Sequence, residues 1–132
     1  MWQRLPFLLH AVIETPAGLS FILAPQRQLP GASPEAVLLL ANYGGALLAT
    51  VGVSAVFLLR TEAGDTAARA AGLVLAFYHV FPLRRAVRRI GHGRAAGRPA
   101  DAVLGGPWVH LVVHAACFAS LLGLWFAAPT AA

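Results

Sequence analysis

His10 and Glu14 stand four residues apart in LPFLLHAVIETPAGLSFIL, an apolar run covering residues 5–23. Residues at i and i+4 share a helix face, so an imidazole and a carboxylate lie one turn apart in a segment long enough to cross a bilayer. Groups of these two types can take and return a proton during a reaction, which is general acid–base chemistry. Three more histidines follow in apolar surroundings: His79, directly after Tyr78, and His110 and His114, again at i and i+4. The expected catalytic set is Glu14 as acid and base, with His79, His110 and His114 as proton partners. His10, Asn42, Tyr43 and Tyr78 are the expected binding residues. The same polar groups could instead serve structure alone, as a hydrogen-bonded knot holding four helices together.

The spacing His110-x-x-x-His114 also suits one metal ion, with His79 or Glu14 completing the shell. Two histidines on one helix cannot be the two axial ligands of a single haem, and the histidine count falls short of a membrane di-iron site. We expect neither a metal nor a cofactor. Cys117 is the only cysteine, which rules out an intramolecular disulfide, a CxxC redox pair and a thiolate zinc site. All ten basic residues are Arg, so no lysine Schiff base can form.

An ionisable group at the bilayer centre costs roughly 2.5–3.5 kcal/mol on insertion scales. The remaining segments must offset that cost around Glu14. Composition already places them in a membrane. Hydrophobic residues make up 58% of the 132-residue chain and charged residues 11%, with a mean hydropathy of +0.70. A soluble domain carries about 25% charged residues. The net charge of +5 does not mark a nucleic-acid binder, because the Arg residues gather beside apolar spans without interleaved aromatics.

The sequence predicts an all-α fold, a four-helix transmembrane bundle forming one polytopic domain. Its spans run over about residues 5–24, 35–59, 67–83 and 107–128. Pro6 sits in a tolerated first-turn position, and Pro16 removes one helical hydrogen bond near Glu14. Residues 25–35 read as a loop that ends in Ser33-Pro34-Glu35, an N-cap, a Pro and a first-turn acid. Asp65 or Thr66 should cap the third helix. The fourth starts either after Asp101 or at the Gly105-Gly106 break, with Trp108 as interfacial anchor; we favour the break. Residues 84–106 are a basic cytosolic linker. Within it Arg84, Arg85, Arg88 and Arg89 have helical spacing, so the third helix should run past the headgroups with its Arg side chains snorkelling. Three small-residue faces should allow close helix approach: Ala41/Gly45/Ala49, Ala68/Gly72/Ala76 and Ala115/Ala119/Gly123.

Arginine bias sets the orientation. Arg27, Arg84, Arg85, Arg88, Arg89, Arg94 and Arg98 flank one side, and Arg4, Arg60 and Arg69 the other. Both termini are therefore expected outside the cytosol. At about 1.5 Å per residue, Glu14 falls near mid-membrane. Asn42, Tyr43, Tyr78, His79, His110 and His114 lie between the centre and the cytosolic boundary. A polar layer at that depth should face inward.

His10-Ala11-Val12-Ile13-Glu14 resembles the first-span His-x-x-x-Glu of the emopamil-binding, sterol-isomerase-like family, which also has four spans. That resemblance implies a membrane carboxylate shuttling a proton during a double-bond shift. The match covers His10 and Glu14; the acids Glu35, Glu62, Asp65 and Asp101 fall at helix ends or in loops. Glu14 in a first span of four also resembles the carboxylate of small multidrug resistance exporters. As a whole the chain resembles small four-span membrane proteins of filamentous fungi, through HAVIETPAGLSFILAP and NYGGALLATV. Some of those accompany biosynthetic pathways, which implies an endoplasmic-reticulum tailoring or accessory role. The expected partners are the lipid bilayer, an apolar small molecule, and a membrane protein or a second copy of the chain, with no nucleic acid.

The orientation is open to direct measurement. A C-terminal alkaline phosphatase fusion should be active and a C-terminal green fluorescent protein fusion dark in a bacterial membrane. The reverse pattern would overturn the assignment.

Overall fold

A computed structural model describes residues 2–60, 65–95 and 106–127. Of these 92% are helical and none is in a strand. After a single 3-10 turn at Trp2–Arg4 come α1 (Leu5–Leu23), α2 (Pro25–Gln28), α3 (Pro34–Leu59), α4 (Thr66–Ala95) and α5 (Gly106–Phe126). The helices α1, α3, α4 and α5 are each long and apolar enough to cross a membrane. The chain is thus an all-α, multi-pass membrane protein by length and composition.

Local sequence explains the helix starts. The Ser33 side chain accepts a hydrogen bond from the Ala36 amide at 3.3 Å, with Pro34 in the first turn behind it. Asp65, not Thr66, caps α4, its carboxylate accepting from the Ala68 amide at 2.7 Å. Gly106 opens α5 with φ at 75°, a left-handed value that glycine adopts without a Cβ penalty. Pro107 follows it.

Two expectations need correction. Part of the expected 25–35 loop is helical, because Pro25 starts the extra turn α2 and Gln28 anchors it by donating to the Ser20 hydroxyl at 2.8 Å. The third helix does run on through residues 84–89 as their spacing implied, but it reaches Ala95, so the first twelve residues of the expected 84–106 linker are helical. Arg-rich sequence is a good helix former and water can solvate it, so nothing stops α4 at the membrane edge. Residues 96–105, including Arg98 and the alternative cap Asp101, lie outside the described residues.

The chain divides into two compact units. In the first, within Phe7–Thr61, α1 and α3 run antiparallel. Phe7 stacks on Phe57 with ring centroids 5.1 Å apart, and at the other end Phe21 meets Tyr43 at 5.8 Å. Between them Gly18 and Gly44 bring the two backbones together. A Cβ on Gly44 would lie 2.8 Å from the Gly18 carbonyl oxygen and 2.9 Å from the Phe21 Cβ. The second unit, within Glu62–Ala132, pairs α4 with α5, also antiparallel. Arg69 donates to the Trp125 carbonyl and lies over the Trp125 ring, which satisfies an open carbonyl in the last turn of α5. Gly72 sits against α5, where an added Cβ would come 3.1 Å from the Leu121 carbonyl oxygen.

The small-residue faces therefore differ from expectation on two helices. On α4 the Ala68/Gly72/Ala76 face is buried as the spacing implied. On α3 the contact is made by Gly44; Gly45 has open space around it. On α5 Ala115 and Ala119 are exposed and Gly123 is likewise open. Gly72 instead meets the Leu121 carbonyl and the larger Leu124 side chain.

This gives a paired test. Gly44→Ala should lower thermal stability in detergent by about 1–3 kcal/mol, the usual cost of overpacking. Gly45→Ala should stay within roughly 0.5 kcal/mol of the parent. Equal effects would contradict the close approach at Gly44.

Candidate functional site

The buried face of α1 is one stripe: Phe7, His10, Glu14, Gly18 and Phe21, spaced by three or four residues. Leu8, Val12 and Leu19 lie exposed on the other side. His10 and Glu14 thus share a face, with 0% and 1% of their surfaces exposed. Pro16, two residues after Glu14, lies exposed on the outer side of the same helix.

The antiparallel register brings Thr50 of α3 to His10. Nε2 of His10 lies 3.0 Å from the Thr50 hydroxyl oxygen. That hydroxyl donates its own proton to the Leu47 carbonyl at 2.7 Å. A hydroxyl has one proton to give, so Thr50 must accept from His10. Nε2 therefore carries a hydrogen, and in the neutral ring Nδ1 presents a lone pair. Thr50 was not among the expected binding residues. Its signal was its depth, because a residue near the middle of α3 faces the middle of α1 once the two helices run antiparallel. One turn further on, Ser54 is fully buried, and its hydroxyl has no hydrogen-bond partner among the described residues.

In the second unit, His79 of α4 and His114 of α5 meet. Their Nδ1 atoms are 3.0 Å apart and their ring centroids 5.2 Å apart. Both side chains are buried, with 0% and 7% exposure. A contact between two imidazole nitrogens needs a hydrogen on one and a lone pair on the other. The rings therefore hold unlike states at Nδ1, and at most one of them is an imidazolium. The contact thus holds a single proton between the two Nδ1 atoms. His110, a turn before His114, is partly exposed, with its ring 5.8 Å from that of His114. Tyr78 is half-buried, its ring edge-on to His79 at 5.0 Å.

Each unit carries some of the sequence-predicted residues. His10 and Glu14 line one helix face beside Thr50, while His79, His114, His110 and Tyr78 gather along α4 and α5. Asn42 and Tyr43 are exposed on α3. Tyr43 packs on Phe21, which lies about 10 Å along α1 from Glu14 at the helical rise. Within that unit the structure does not bring these two side chains to the acid. His92 is exposed on the extension of α4.

No family model, curated protein or solved structure matches the chain.

The tautomers can be read from the protein in micelles. Nitrogen-15 spectra of histidine-labelled protein near neutral pH should show His10 protonated at Nε2. Of His79 and His114, one should be protonated at Nδ1 and the other bare there. Replacing His114 by Gln should remove the Nδ1–H···N coupling from the His79 signal. Two rings both bare at Nδ1 in the parent would contradict the contact.

Proposed function

We propose that this protein is a small integral membrane enzyme or binding protein that handles an apolar metabolite by acid–base chemistry within the membrane. Glu14 is the acid and base in this reading. His79 and His114 hold and pass a proton, and His110 lies at the more exposed end of the histidine row. One observation carries the reading. Glu14 is fully buried near the middle of a mostly apolar helix, one turn from the buried His10, and ionisable residues at such depth are costly and mostly functional. The His-x-x-x-Glu pattern supports it by resemblance to a family that moves protons on lipophilic rings. The orphaned Ser54 hydroxyl adds a second point. A mostly apolar ligand with one hydroxyl or carbonyl would satisfy a group that otherwise costs about 1–3 kcal/mol. Placement in the endoplasmic reticulum, beside a biosynthetic pathway, belongs to the same proposal.

A non-catalytic accessory role is the second reading, and the glycines favour it. Gly45, Gly52 and Gly123 have nothing within reach of an added Cβ, so flat strips of α3 and α5 remain available to a partner helix.

Glu14→Gln separates the two. It keeps shape and most hydrogen bonding but cannot carry a proton. In the producing organism, the variant should accumulate to normal protein levels. Its lipophilic metabolites should match those of a deletion strain, since losing an acid–base group costs about 10²–10⁴ in rate. A metabolite profile equal to the parent would reject acid–base chemistry. Loss of the protein itself would assign Glu14 to structure.

A further inference from the structure

Helix α4 is longer than a membrane crossing needs. Its 30 residues span about 45 Å, against about 30 Å of hydrocarbon. The surplus lies at its C-terminal end. There Arg84, Arg88 and His92 follow at four-residue steps, and Arg85 lies beside them. All four are exposed, whereas Ala86 and Ile90 on the opposite side are buried. The extension therefore has a basic outer face and a packed inner one.

Two tryptophans mark where this face meets the membrane. At the start of α4, Arg69 sits on Trp125. In the same antiparallel register that pairs Arg69 with Trp125, Gly72 with Leu121 and His79 with His114, Trp108 falls level with Arg85. Trp108 is half exposed. Tryptophan collects at the headgroup level, so the α4–α5 unit carries an Arg–Trp level at each end. These levels lie about 24 Å apart along α4 by helical rise, and outward-reaching Arg side chains lengthen that toward the hydrocarbon thickness.

The two ends differ in charge. At one end of α4 stands Arg69, whose guanidinium is engaged with Trp125. At the other, Arg84 and Arg88 are exposed on one face at and just beyond the headgroup plane, with Arg85 beside them. The Arg guanidinium binds phosphate through paired hydrogen bonds. We propose that the outer face of α4 from Arg84 to His92, with Trp108 beside it, is a binding site for anionic phospholipid headgroups. The level of Trp108 selects lipid over a soluble acidic partner, because the first Arg pair lies where lipid phosphates lie. Each basic residue near a charged membrane surface adds to the attraction, so Arg84 and Arg88 together should favour anionic over zwitterionic lipid by about thirtyfold.

The test uses the full chain with Trp2→Phe and Trp125→Phe, leaving Trp108 as the sole tryptophan emitter. The protein is reconstituted in mixed vesicles in which either phosphatidylcholine or phosphatidylglycerol carries brominated chains that quench a neighbouring indole. Quenching should report about thirtyfold preferential occupancy by phosphatidylglycerol beside Trp108, and the preference should fall as salt is raised. Adding Arg84→Gln and Arg88→Gln should bring the ratio close to one, while Arg84→Lys and Arg88→Lys should keep most of it. An unchanged emission maximum and thermal midpoint in the Gln variant would show that the fold is intact. Arg60→Gln, in the other unit, should leave the ratio alone. A parent ratio near one would overturn the proposal and leave the basic face to a soluble acidic partner. A preference that survives in the Gln variant would also overturn it.

Discussion

A polar atom taken out of water must find a partner at its own depth, because no solvent is there to replace one. That constraint explains most of what the two units do. An antiparallel pairing is the simplest way to meet it, since each level of one helix then faces a fixed level of the next. His10 finds Thr50 in this way, and His79 finds His114. Glycine at Gly18, Gly44 and Gly72 lets the backbones come close enough for short side chains to reach across. Packing and hydrogen bonding are therefore two aspects of one register.

The protonation pattern follows from the same register. Thr50 has already committed its hydrogen to the Leu47 carbonyl, so it dictates which nitrogen of His10 is protonated. The His79–His114 contact dictates that its two rings differ. His10, His79 and His114 are thus each constrained by a neighbour from the adjoining helix. Such control of tautomers is what a proton-handling site needs, since an imidazole free to exchange its two nitrogens delivers a proton in no fixed direction.

Much of the helical layout was legible beforehand. Residues 5–23 form a helix, Ser33 and Asp65 are caps, and Gly106-Pro107 starts the last span, all from local chemistry that does not depend on neighbours. Helix faces were harder to read. In a soluble helix the polar residues mark the outer side, but lipid and helix neighbours both accept apolar side chains, so hydropathy carries little face information. Ala41, Gly45 and Ala49 have the spacing of a packing face, yet Gly44 makes the contact, and one residue turns the face by about 100°. His10 and Glu14 do share one buried face as their spacing implied, but Asn42, expected to face inward, is exposed on α3, so polarity marked the inner side of α1 and not of α3. The extension of α4 was legible in part, from the spacing of its Arg residues. Thr50 was not, because its importance arises only when α3 is folded back on α1.

The separation in sequence between Glu14 and α3 bears on biogenesis. Ribosomes deliver α1 first, and at that moment its buried carboxylate and imidazole have no Thr50 and no Gly44 surface beside them. A lone α1 would sit poorly in lipid. The helix can settle only once residues 34–59 have emerged and turned back, so α1 and α3 should enter the bilayer as a hairpin, with the short α2 at its bend. A chain ending before α3 would leave His10 in hydrocarbon without the Thr50 hydroxyl that meets it.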